Sequence, residues 1–567
     1  MAKAQGLRAS LGAHQQAYEA ALRQLDDSGF QRRLLEKDAS LWDGDQEAIS
    51  NRLGWLTVAR TMGERLPELS AFAADVRESG FERVALLGMG GSSLAPEVMQ
   101  GTLGAAEGFP SLILVDTTDP ATIAAVERTL DLEKTLFIVS SKSGTTIETA
   151  SLQRYFAARC RGGEEDAPLA NFVAITDPGT SLEKQAKAEG FRRVFTNPPD
   201  VGGRFSALSC FGLVPAAAIG ADIVRLLESA ESLDARSAVE LGAMLGGLTL
   251  AGRDKVTFFA TQSLRGFGAW AEQLLAESTG KLGKGIIPVD GEPIGGPDVY
   301  GDDRVFVYLR LDGEPGPDRE LRALEAAGHP VITITLADRY DLGAEFLRWE
   351  IATAAAGAIL GINPFDEPNV AEAKEGTAAI LQEGARAGRL PEPGLVLSSD
   401  GTSRYSSERV RKVLDGPVEL LSDLLDPHFH QDGDYFAVLA FIPRTPEHDE
   451  LLTRLRVAFR DPTKRATSVG YGPRYLHSTG QLFKGGPDKG VFIQIVATDA
   501  KDVDIPGEAY SFGVLKGAQA AGDLQALESR GRRVVRVDLG AGGIAALGRV
   551  VSALEAGALR AARATGG

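Results

Sequence analysis

Two short polar segments each follow a buried apolar run and precede a helical pattern. The first is Gly88–Ser93 (GMGGSS), after Val84–Leu87, and the second is Ser140–Glu148 (SSKSGTTIE), after Leu136–Val139. Glycine lets a backbone approach a ligand closely, and the first turn of a helix has N–H groups without carbonyl partners. The second segment adds hydroxyls and a lysine as further donors. Both segments therefore predict anion binding where a helix begins.

The spacing of these segments does not fit a nucleotide-binding motif. The first is not G-x-G-x-x-G, and the second lacks the P-loop order G-x-x-x-x-G-K-[ST]. A tight strand-to-helix turn remains an alternative for the first, and a Ser/Thr-rich helix cap for the second. Two anion sites in one sheet favour a small phosphorylated ligand over a nucleotide.

The surrounding elements follow from the hydrophobic pattern. Residues 1–75 have apolar side chains three and four apart, which predicts a helical leader on the outside of the molecule. From Val84 onward apolar runs alternate with Gly-rich turns and amphipathic stretches, a pattern typical of βαβ units with a parallel sheet. Residues 386–403 are rich in Gly, Pro and Ser and mark a boundary. The predicted strands after the two already named are Leu112–Val115, Phe172–Thr176, Val256–Ala260, Val305–Leu309, Val331–Thr335, Phe436–Phe441, Val491–Val496 and Val534–Val537.

Composition narrows the classes of function. With 567 residues, 44% hydrophobic and 24% charged, the chain is globular, and its net charge of −17 disfavours nucleic acid as a partner. Cys160 and Cys210 are too few for a disulfide framework. The N-terminus lacks the apolar stretch of a signal peptide, and runs such as Ile351–Ile362 are too short to cross a bilayer. We therefore expect a cytoplasmic protein without a membrane partner.

Five segments, in order along residues 84–374, resemble the motifs of one family. GMGGSSLAPEV and SSKSGTTIET resemble the two signature loops of a sugar isomerase (SIS) domain. VGGRFS at 201–206 resembles GGR-[FY]-S, QLLAESTGK at 273–281 resembles E-S-x-G-K, and NPFD at 363–366 followed by Lys374 resembles F-D-Q…K. Together they resemble phosphoglucose isomerases, and most of all the isomerase half of bifunctional transaldolase/phosphoglucose isomerase proteins. We expect no transaldolase barrel ahead of Val84.

The resemblance implies an α/β fold with two tandem SIS-type domains, 60–235 and 236–385, whose parallel central sheets are flanked by helices. A helical leader (1–75) and an extra C-terminal α/β unit (386–567) complete the expected organisation. The implied reaction is the reversible isomerisation of glucose 6-phosphate and fructose 6-phosphate through a cis-enediolate, without metal or organic cofactor. A broader phosphoglucose/phosphomannose isomerase and a non-catalytic sugar-phosphate sensor remain alternatives. The family forms dimers, so a homodimer is expected unless the C-terminal unit completes the site within one chain.

The same resemblance implies roles for individual residues. Glu277 is expected to be the base that moves a proton between C2 and C1, and Arg204 to stabilise the enediolate oxygen. Lys374 is expected to assist ring opening. The expected contacts to the phosphate and the rest of the substrate are Gly91, Ser92, Ser141, Lys142, Ser143, Thr146 and Gly203. Each role has a structural alternative. Glu277 could be a solvated helix glutamate, and Arg204 could be a loop arginine paired with an acid. Lys142 and Lys374 could be surface lysines.

Histidine is where the sequence departs from the family. The segment after Glu277 contains no histidine, whereas the family places its ring-opening histidine there. The segment YLHSTGQ, with His477, matches the missing motif but follows Lys374. We expect His477 to reach the active site, from its own chain or from a neighbouring subunit, with a structural remnant as the alternative. His428 and His430 have a spacing that could suit a metal, but no third ligand is evident, so we interpret them as structural.

Overall fold

The computed structural model describes residues 6–164, 166–387, 390 and 393–565, without the side chains of 371–374, 384–387 and 561–565. Within this part of the chain the strands form three sheets flanked by helices. The strands are β1 Leu7–Ser10, β2 Arg83–Gly88, β3 Ser111–Val115, β4 Thr135–Ser140, β5 Phe172–Thr176, β6 Arg193–Thr196, β7 Lys255–Ala260, β8 Ile287–Val289, β9 Arg304–Leu311, β10 Val331–Leu336, β11 Val396–Leu397, β12 Ser403–Ser406, β13 Tyr435–Phe441, β14 Ala466–Tyr471, β15 Gly490–Val496 and β16 Arg533–Asp538. The α-helices are α1 Gln15–Asp27, α2 Phe30–Leu35, α3 Gln46–Ser50, α4 Val58–Gly63, α5 Leu66–Glu78, α6 Leu94–Leu103, α7 Pro120–Glu127, α8 Ile147–Arg161, α9 Ser181–Ala188, α10 Cys210–Ala218, α11 Ile223–Glu231, α12 Ala235–Leu250, α13 Phe267–Thr279, α14 Asp318–Ala326, α15 Leu342–Leu360, α16 Val370–Ala387, α17 Glu408–Val413, α18 Pro446–Thr463, α19 Gly480–Gly485, α20 Phe512–Ser529 and α21 Gly543–Thr565.

The first sheet has the order β3-β2-β4-β5-β6, and all its strands are parallel. Its central strands are buried on both faces, as expected for a parallel sheet covered by helices. In the register of β2 and β4, Gly88 lies opposite Ser140. The two polar loops identified from the sequence therefore begin side by side at the carboxyl edge of this sheet, the edge where open α/β sheets bind ligands.

The second sheet has the order β1-β10-β9-β7-β8, with β7 to β10 parallel and β1 antiparallel to β10. The prediction of an all-helical leader is therefore wrong at its start. Leu7 to Ser10 extend along the edge of the sheet, where Leu7 pairs with Ile334 and Ser10 with Val331. A four-residue edge strand has too few residues to show an alternating hydrophobic pattern, so the sequence pattern could not identify it.

The third sheet has the order β11-β12-β16-β15-β13-β14, of which β13 to β16 are parallel. These four parallel strands, numbered along the chain, lie in the order 2-1-3-4. The same order holds for β2 to β5 in the first sheet and for β7 to β10 in the second. The extra C-terminal unit thus repeats the strand order of the two preceding sheets.

The leader does not lie on the outside of the molecule, contrary to the expectation. Trp55 is fully buried and packs against Phe205 and Phe365, with ring centroids 5.1 and 6.3 Å apart. Gly54 N–H donates to the carbonyl of Asp200 at 3.0 Å. Helical periodicity reveals a buried face but not the partner of that face, so the sequence could not place the leader in the core.

One helical stretch among the described residues, Gly540–Arg560, is long and apolar enough to cross a membrane by length and composition. The sequence analysis did not single it out. Its buried residues include Leu547, Val550 and Leu554, which pack in the core of the third sheet. Packing of this kind is typical of a core helix in a globular domain.

Candidate active site

A cavity of about 380 Å³ opens at the carboxyl edge of the first sheet. It is bounded by the loops after β2 and β4, the GGRF turn, α13, the start of α16 and the segment around His477. The residues that line it are Arg52, Met89, Gly90, Gly91, Ser92, Lys142, Ser143, Thr146, Asp177, Gly202, Gly203, Arg204, Phe205, Gln273, Glu277, Phe365, Glu367, Val370, Leu476, His477 and Ser478. The leader, both predicted domains and the C-terminal unit all contribute to this list.

Two glycines allow these segments to approach one another. Gly90 has φ +54°, and a Cβ there would lie 2.6 Å from the carbonyl oxygen of His477. A Cβ at Gly91 would lie 2.1 Å from the carbonyl oxygen of Gly203. Only glycine satisfies both conditions at Gly90, and only glycine fits at Gly91. The first loop is thus the surface against which the GGRF turn and the His477 segment pack.

The second loop forms an open helix N-terminus. Helix α8 begins at Ile147, and its cap residue Thr146 makes no side-chain hydrogen bond to the first turn. Thr146 and Ser143 line the cavity, so N–H groups and hydroxyls converge there, as a phosphate requires. Ser141 is buried behind them, and its hydroxyl donates to Thr146 Oγ1 at 3.1 Å. Ser141 supports the loop in this structure and does not line the cavity.

Lys142 lines the cavity, but its ammonium group is already engaged. It forms an ion pair with Asp177 and donates to the carbonyl of Pro199 at 3.3 Å. Burial raises the pKa of Asp177, although Lys142 opposes this shift. Arg52, a residue that the sequence analysis did not single out, faces the same cavity from the leader and acts electrostatically on Asp177. This end of the cavity therefore holds more positive charge than Lys142 alone provides.

Arg204 is 4% exposed and is held from three sides. Nε donates to Ser278 Oγ at 2.8 Å, and Nη2 donates to the carbonyls of Pro364 and Asp366 at 2.7 and 2.9 Å. Nη1 contacts Glu277 Oε1 at 3.2 Å. A guanidinium fixed in this way needs no reorganisation to stabilise an oxyanion that develops beside it.

Glu277 lies at the last turn of α13 and faces the cavity. Its Oε2 accepts a hydrogen bond from Gln273 Nε2 at 3.0 Å, and the same Gln273 nitrogen donates to the carbonyl of His477 at 2.8 Å. Burial raises the pKa of Glu277, while the Arg204 guanidinium opposes this and Glu367 adds to it. A carboxylate whose pKa is moved toward neutrality is suited to accept and return a proton.

Glu367 contacts the other side of Arg204, with Oε2 2.9 Å from Nη1. Its position is the Gln of the F-D-Q motif, so this chain has a carboxylate where that motif has an amide. Burial opposes ionisation of Glu367, but Arg204, together with Arg52 and Lys281, holds its pKa below the ordinary value. Two carboxylates on one guanidinium thus have pKa values shifted in opposite directions, which is a way of separating acid and base roles.

His477 reaches the cavity from its own chain. Its Nε2 lies 2.9 Å from Glu148 Oε1, and Glu148 is buried at the start of α8. The segment is anchored by Gln481, whose Nε2 donates to the carbonyl of Gly280 at 2.9 Å and to Asn369 Oδ1 at 2.8 Å. The relocated histidine motif thus packs on the ESTGK motif within one chain.

The contacts described above do not include Lys374 or the pair His428 and His430. Lys374 belongs to α16, whose first residue Val370 lines the cavity, but the side chain of Lys374 lies outside the described residues. His428 and His430 lie on and beside a single 3-10 turn, Pro427–Phe429. Among the described residues there is no group of three potential metal ligands.

Sequence reasoning missed several residues that the structure places at or behind the cavity, and five of them have polar or charged side chains used in the arguments below. Gln273, Glu367 and Glu148 stand inside or beside the quoted motifs, so a closer reading of those motifs could have found them. Arg52 and Gln519 belong to no motif, because their proximity to the site arises only from the tertiary fold. Gln519 Nε2 donates to Glu148 Oε1 at 2.7 Å.

Parallel α/β sheets that bring a hydroxyl-lined helix N-terminus and a carboxylate–guanidinium pair to a carboxyl edge are suited to a small phosphorylated ligand. Comparisons with known proteins agree. A family model described as phosphoglucose isomerase matches residues 76–282. The chain is 31% identical over 418 residues to a glucose-6-phosphate isomerase of Rubrobacter xylanophilus, covering 62% of this chain and 96% of that protein. The chain belongs to the phosphoglucose isomerase family.

Other relatives point the same way. A probable glucose-6-phosphate isomerase of Methanococcus maripaludis is 28% identical over 379 residues, covering 58% of this chain and 84% of that protein. The crystal structure of a hypothetical protein from Thermus thermophilus superposes with a TM-score of 0.56 at 25% identity, covering 66% of this chain and 100% of that chain. A glucose-6-phosphate isomerase structure from Chlamydia trachomatis gives 0.53 at 20% identity, covering 68% and 91%, and supports the fold.

Proposed function

We propose that this protein interconverts glucose 6-phosphate and fructose 6-phosphate by proton transfer through a cis-enediolate. The observation that carries the proposal is the pair Glu277 and Arg204. Their side chains meet at 3.2 Å in a cavity that also contains an open helix N-terminus. The family membership and the names of the relatives support the same reaction.

The proposal assigns a part of the reaction to each segment. The phosphate would sit at the N-terminus of α8, against Ser143, Thr146 and the loop at Gly91–Ser92. Glu277 would take the proton from C2 of the open-chain aldose and return it to C1 of the enediolate. The hydroxyl proton on O2 passes to O1 in the same conversion, which yields the ketose. Arg204 would stabilise the negative charge on the enediolate oxygen while the proton is on Glu277.

Ring opening falls to His477 in this proposal. The ring oxygen must gain a proton as the hydroxyl at C1 of the aldose, or at C2 of the ketose, loses one. An imidazole has one nitrogen that can donate a proton and one that can accept it, so it can carry that proton between the two oxygens. Glu148 orients the imidazole from behind at 2.9 Å. Lys374 is assigned a supporting part on the resemblance of its motif alone.

The proposed partner is a small sugar phosphate. The net charge of −17 supports the absence of a nucleic-acid partner. We infer a cytoplasmic location, which is supported by Cys160 and Cys210 being unpaired thiols.

The test is isomerisation of fructose 6-phosphate, followed by coupled oxidation of the glucose 6-phosphate formed. The wild-type protein, Glu277→Gln and His477→Ala are compared, with His428→Ala as a matched control on an exposed histidine. We expect Glu277→Gln to lose at least about 10³-fold in kcat and His477→Ala about 10²-fold, with His428→Ala unchanged. An inactive wild-type protein that still bound the sugar phosphate would reject catalysis in favour of a sensor. Mannose 6-phosphate, assayed in parallel, decides whether the substrate range is broader.

A further inference from the structure

Gln519 connects the C-terminal unit to the carboxylate behind His477. It lies in the middle of α20 and is 2% exposed. Its Oε1 accepts a hydrogen bond from Thr118 Oγ1 at 2.8 Å, and its Nε2 donates to Glu148 Oε1 at 2.7 Å. Since Thr118 follows β3 and Glu148 begins α8, a single buried amide spans two elements of the first sheet.

Glu148 Oε1 receives donors from both sides, Gln519 Nε2 at 2.7 Å and His477 Nε2 at 2.9 Å. An amide N–H can only donate, so it stabilises the ionised carboxylate and not a protonated oxygen at that place. An ionised Glu148 in turn requires the His477 nitrogen that faces it to carry the hydrogen. The other ring nitrogen, Nδ1, is then left with its lone pair.

We propose that Gln519 is a positioning residue for this site. Its amide keeps Glu148 in the ionised form and thereby fixes the tautomer of His477 with the hydrogen on Nε2. The effect on ring opening rests on the proposed function, whereas the tautomer of His477 does not depend on it.

Loss of the Gln519 amide should change the form of Glu148, and with it the tautomer of His477, in one direction. Glu148 is 3% exposed, and a buried carboxylate that loses a donor is protonated more easily. A protonated Glu148 would donate to His477 Nε2, so the hydrogen of the neutral imidazole would move to Nδ1. The catalytic form would then be lost at a higher pH than in the wild-type protein.

Other charged groups around this site are held by partners of their own. Lys516, three residues before Gln519 on α20, pairs with Asp119 at 2.8 Å and with Asp499. Arg474, three residues before His477, pairs with Asp116 at 2.8 Å and with Glu97. Across the cavity Glu277 interacts electrostatically with His477. These charged groups lie near the same site, so the test must isolate the contribution of Gln519.

The test uses the full-length protein and the variant Gln519→Met, which keeps the side-chain length but has no donor. In protein labelled with ¹⁵N-histidine, His477 is assigned by the resonance missing from His477→Ala. We expect the wild-type resonances to show the Nε2–H tautomer at pH 8. As the pH is lowered toward 5, the resonances of Gln519→Met should move toward Nδ1–H at a higher pH than those of the wild-type protein. In parallel, kcat/KM for fructose 6-phosphate should fall roughly 10- to 100-fold. Its acidic limb should move to higher pH, with the affinity for an acyclic phosphorylated aldonate kept within about twofold.

Gln100→Leu serves as the matched control. Gln100 is a half-buried glutamine on α6, and its Oε1 accepts a hydrogen bond from the Leu112 N–H at 2.8 Å. Its loss should lower the melting temperature without moving the pH profile or the tautomer. If Gln519→Met does not fold, Thr118→Val removes the other hydrogen bond of the same amide and should move both readouts in the same direction. Unchanged His477 resonances and an unchanged acidic limb would overturn the proposal. A shifted tautomer in a protein without isomerase activity would uphold it and reject the proposed function instead.

Discussion

His477 Nε2 lies 2.9 Å from Glu148 Oε1, although 329 residues separate the two along the chain. Glu148 begins a helix of the first sheet, and His477 belongs to the unit built on the third sheet. The histidine motif that follows Lys374, out of the family's order, is therefore brought back by the fold to the edge of the first sheet. A single chain thus supplies the two polar loops after β2 and β4, the Glu277 carboxylate, the Arg204 guanidinium and the His477 imidazole.

Mixing two inactive variants tests this arrangement. If His477 acts within its own chain, a mixture of the Glu277→Gln protein and the His477→Ala protein contains no complete site. Its activity should therefore remain at the level of the separate variants. If His477 were supplied by a partner subunit, random hybrid dimers would restore about a quarter of wild-type activity. The two variants should be unfolded together, refolded as a mixture and assayed. Singly refolded wild-type protein is the control for recovery.

Substitution of Gly90 should separate the His477 segment from the first loop. Gly90→Ala places a Cβ 2.6 Å from the carbonyl of His477 and forces an alanine to φ +54°. We expect a loss of roughly 1–2 kcal/mol in stability and at least tenfold in kcat. Gly101→Ala, in the same region of sequence, meets no atom within 4 Å and lies inside α6. It should leave kcat unchanged and slightly raise the melting temperature, and equal kcat in both variants would contradict the packing described.

Glu367→Gln should shift the pH dependence of the reaction. Glu367 is one of the charges that raise the pKa of Glu277, and it also shares the Arg204 guanidinium. Removal of its charge lowers the pKa of Glu277, so the base stays ionised to lower pH. The acidic limb of kcat/KM should therefore move to lower pH, which a rate profile between pH 5 and 9 can measure. Movement to higher pH would show that Glu367 does not act on Glu277 as described.

Arg52→Gln should weaken substrate binding more than turnover. Arg52 lines the cavity together with Lys142, which is already paired with Asp177, and the proposed function puts the phosphate at this end. A dianion bound there would lose one of its positive neighbours, so KM should rise about tenfold while kcat changes little. The KM of the wild-type protein should also depend more steeply on salt than that of the variant. Arg60→Gln, an exposed arginine in the same leader, is the control and should change neither quantity.

Glu350 predicts a pH dependence of stability that is independent of catalysis. It is fully buried in α15, and neither carboxyl oxygen has a hydrogen-bond partner in the described part of the chain. Burial raises its pKa well above the ordinary value, so the folded state holds a proton that the unfolded state releases. Below the ordinary pKa of glutamate Glu350 is protonated in both states, and its full contribution to the free energy of unfolding is present. It is lost as the pH rises, by about 1.4 kcal/mol per unit, until the folded-state pKa is passed.

Glu350→Gln should remove this dependence, because a neutral amide does not ionise. Melting temperatures measured between pH 5 and 9 should fall less steeply for the variant than for the wild-type protein. The exposed Glu231→Gln is the control and should follow the wild-type curve. Parallel curves for Glu350→Gln and the wild-type protein would show that Glu350 is already ionised in the folded state.

The local parts of the site could be predicted from the sequence, and the long-range parts could not. Gly88–Ser93 and Ser140–Glu148 each stand between a strand and a helix, so the pattern alone placed both at one sheet edge, as the register of Gly88 and Ser140 confirms. The position of Gln519 depends on how α20 packs on the first sheet, which no local pattern encodes. Ser141 shows the same limit on a smaller scale, since the pattern could not tell which hydroxyls of the loop face inward.

The distance along the chain between Glu148 and His477 also orders events during protein synthesis. The ribosome has made both polar loops once residue 148 is synthesised, but 329 further residues must follow before the imidazole exists. On the proposed function, a nascent chain that has folded only its first sheet would hold a sugar phosphate without opening its ring. The complete site would then form late in translation, with the third sheet.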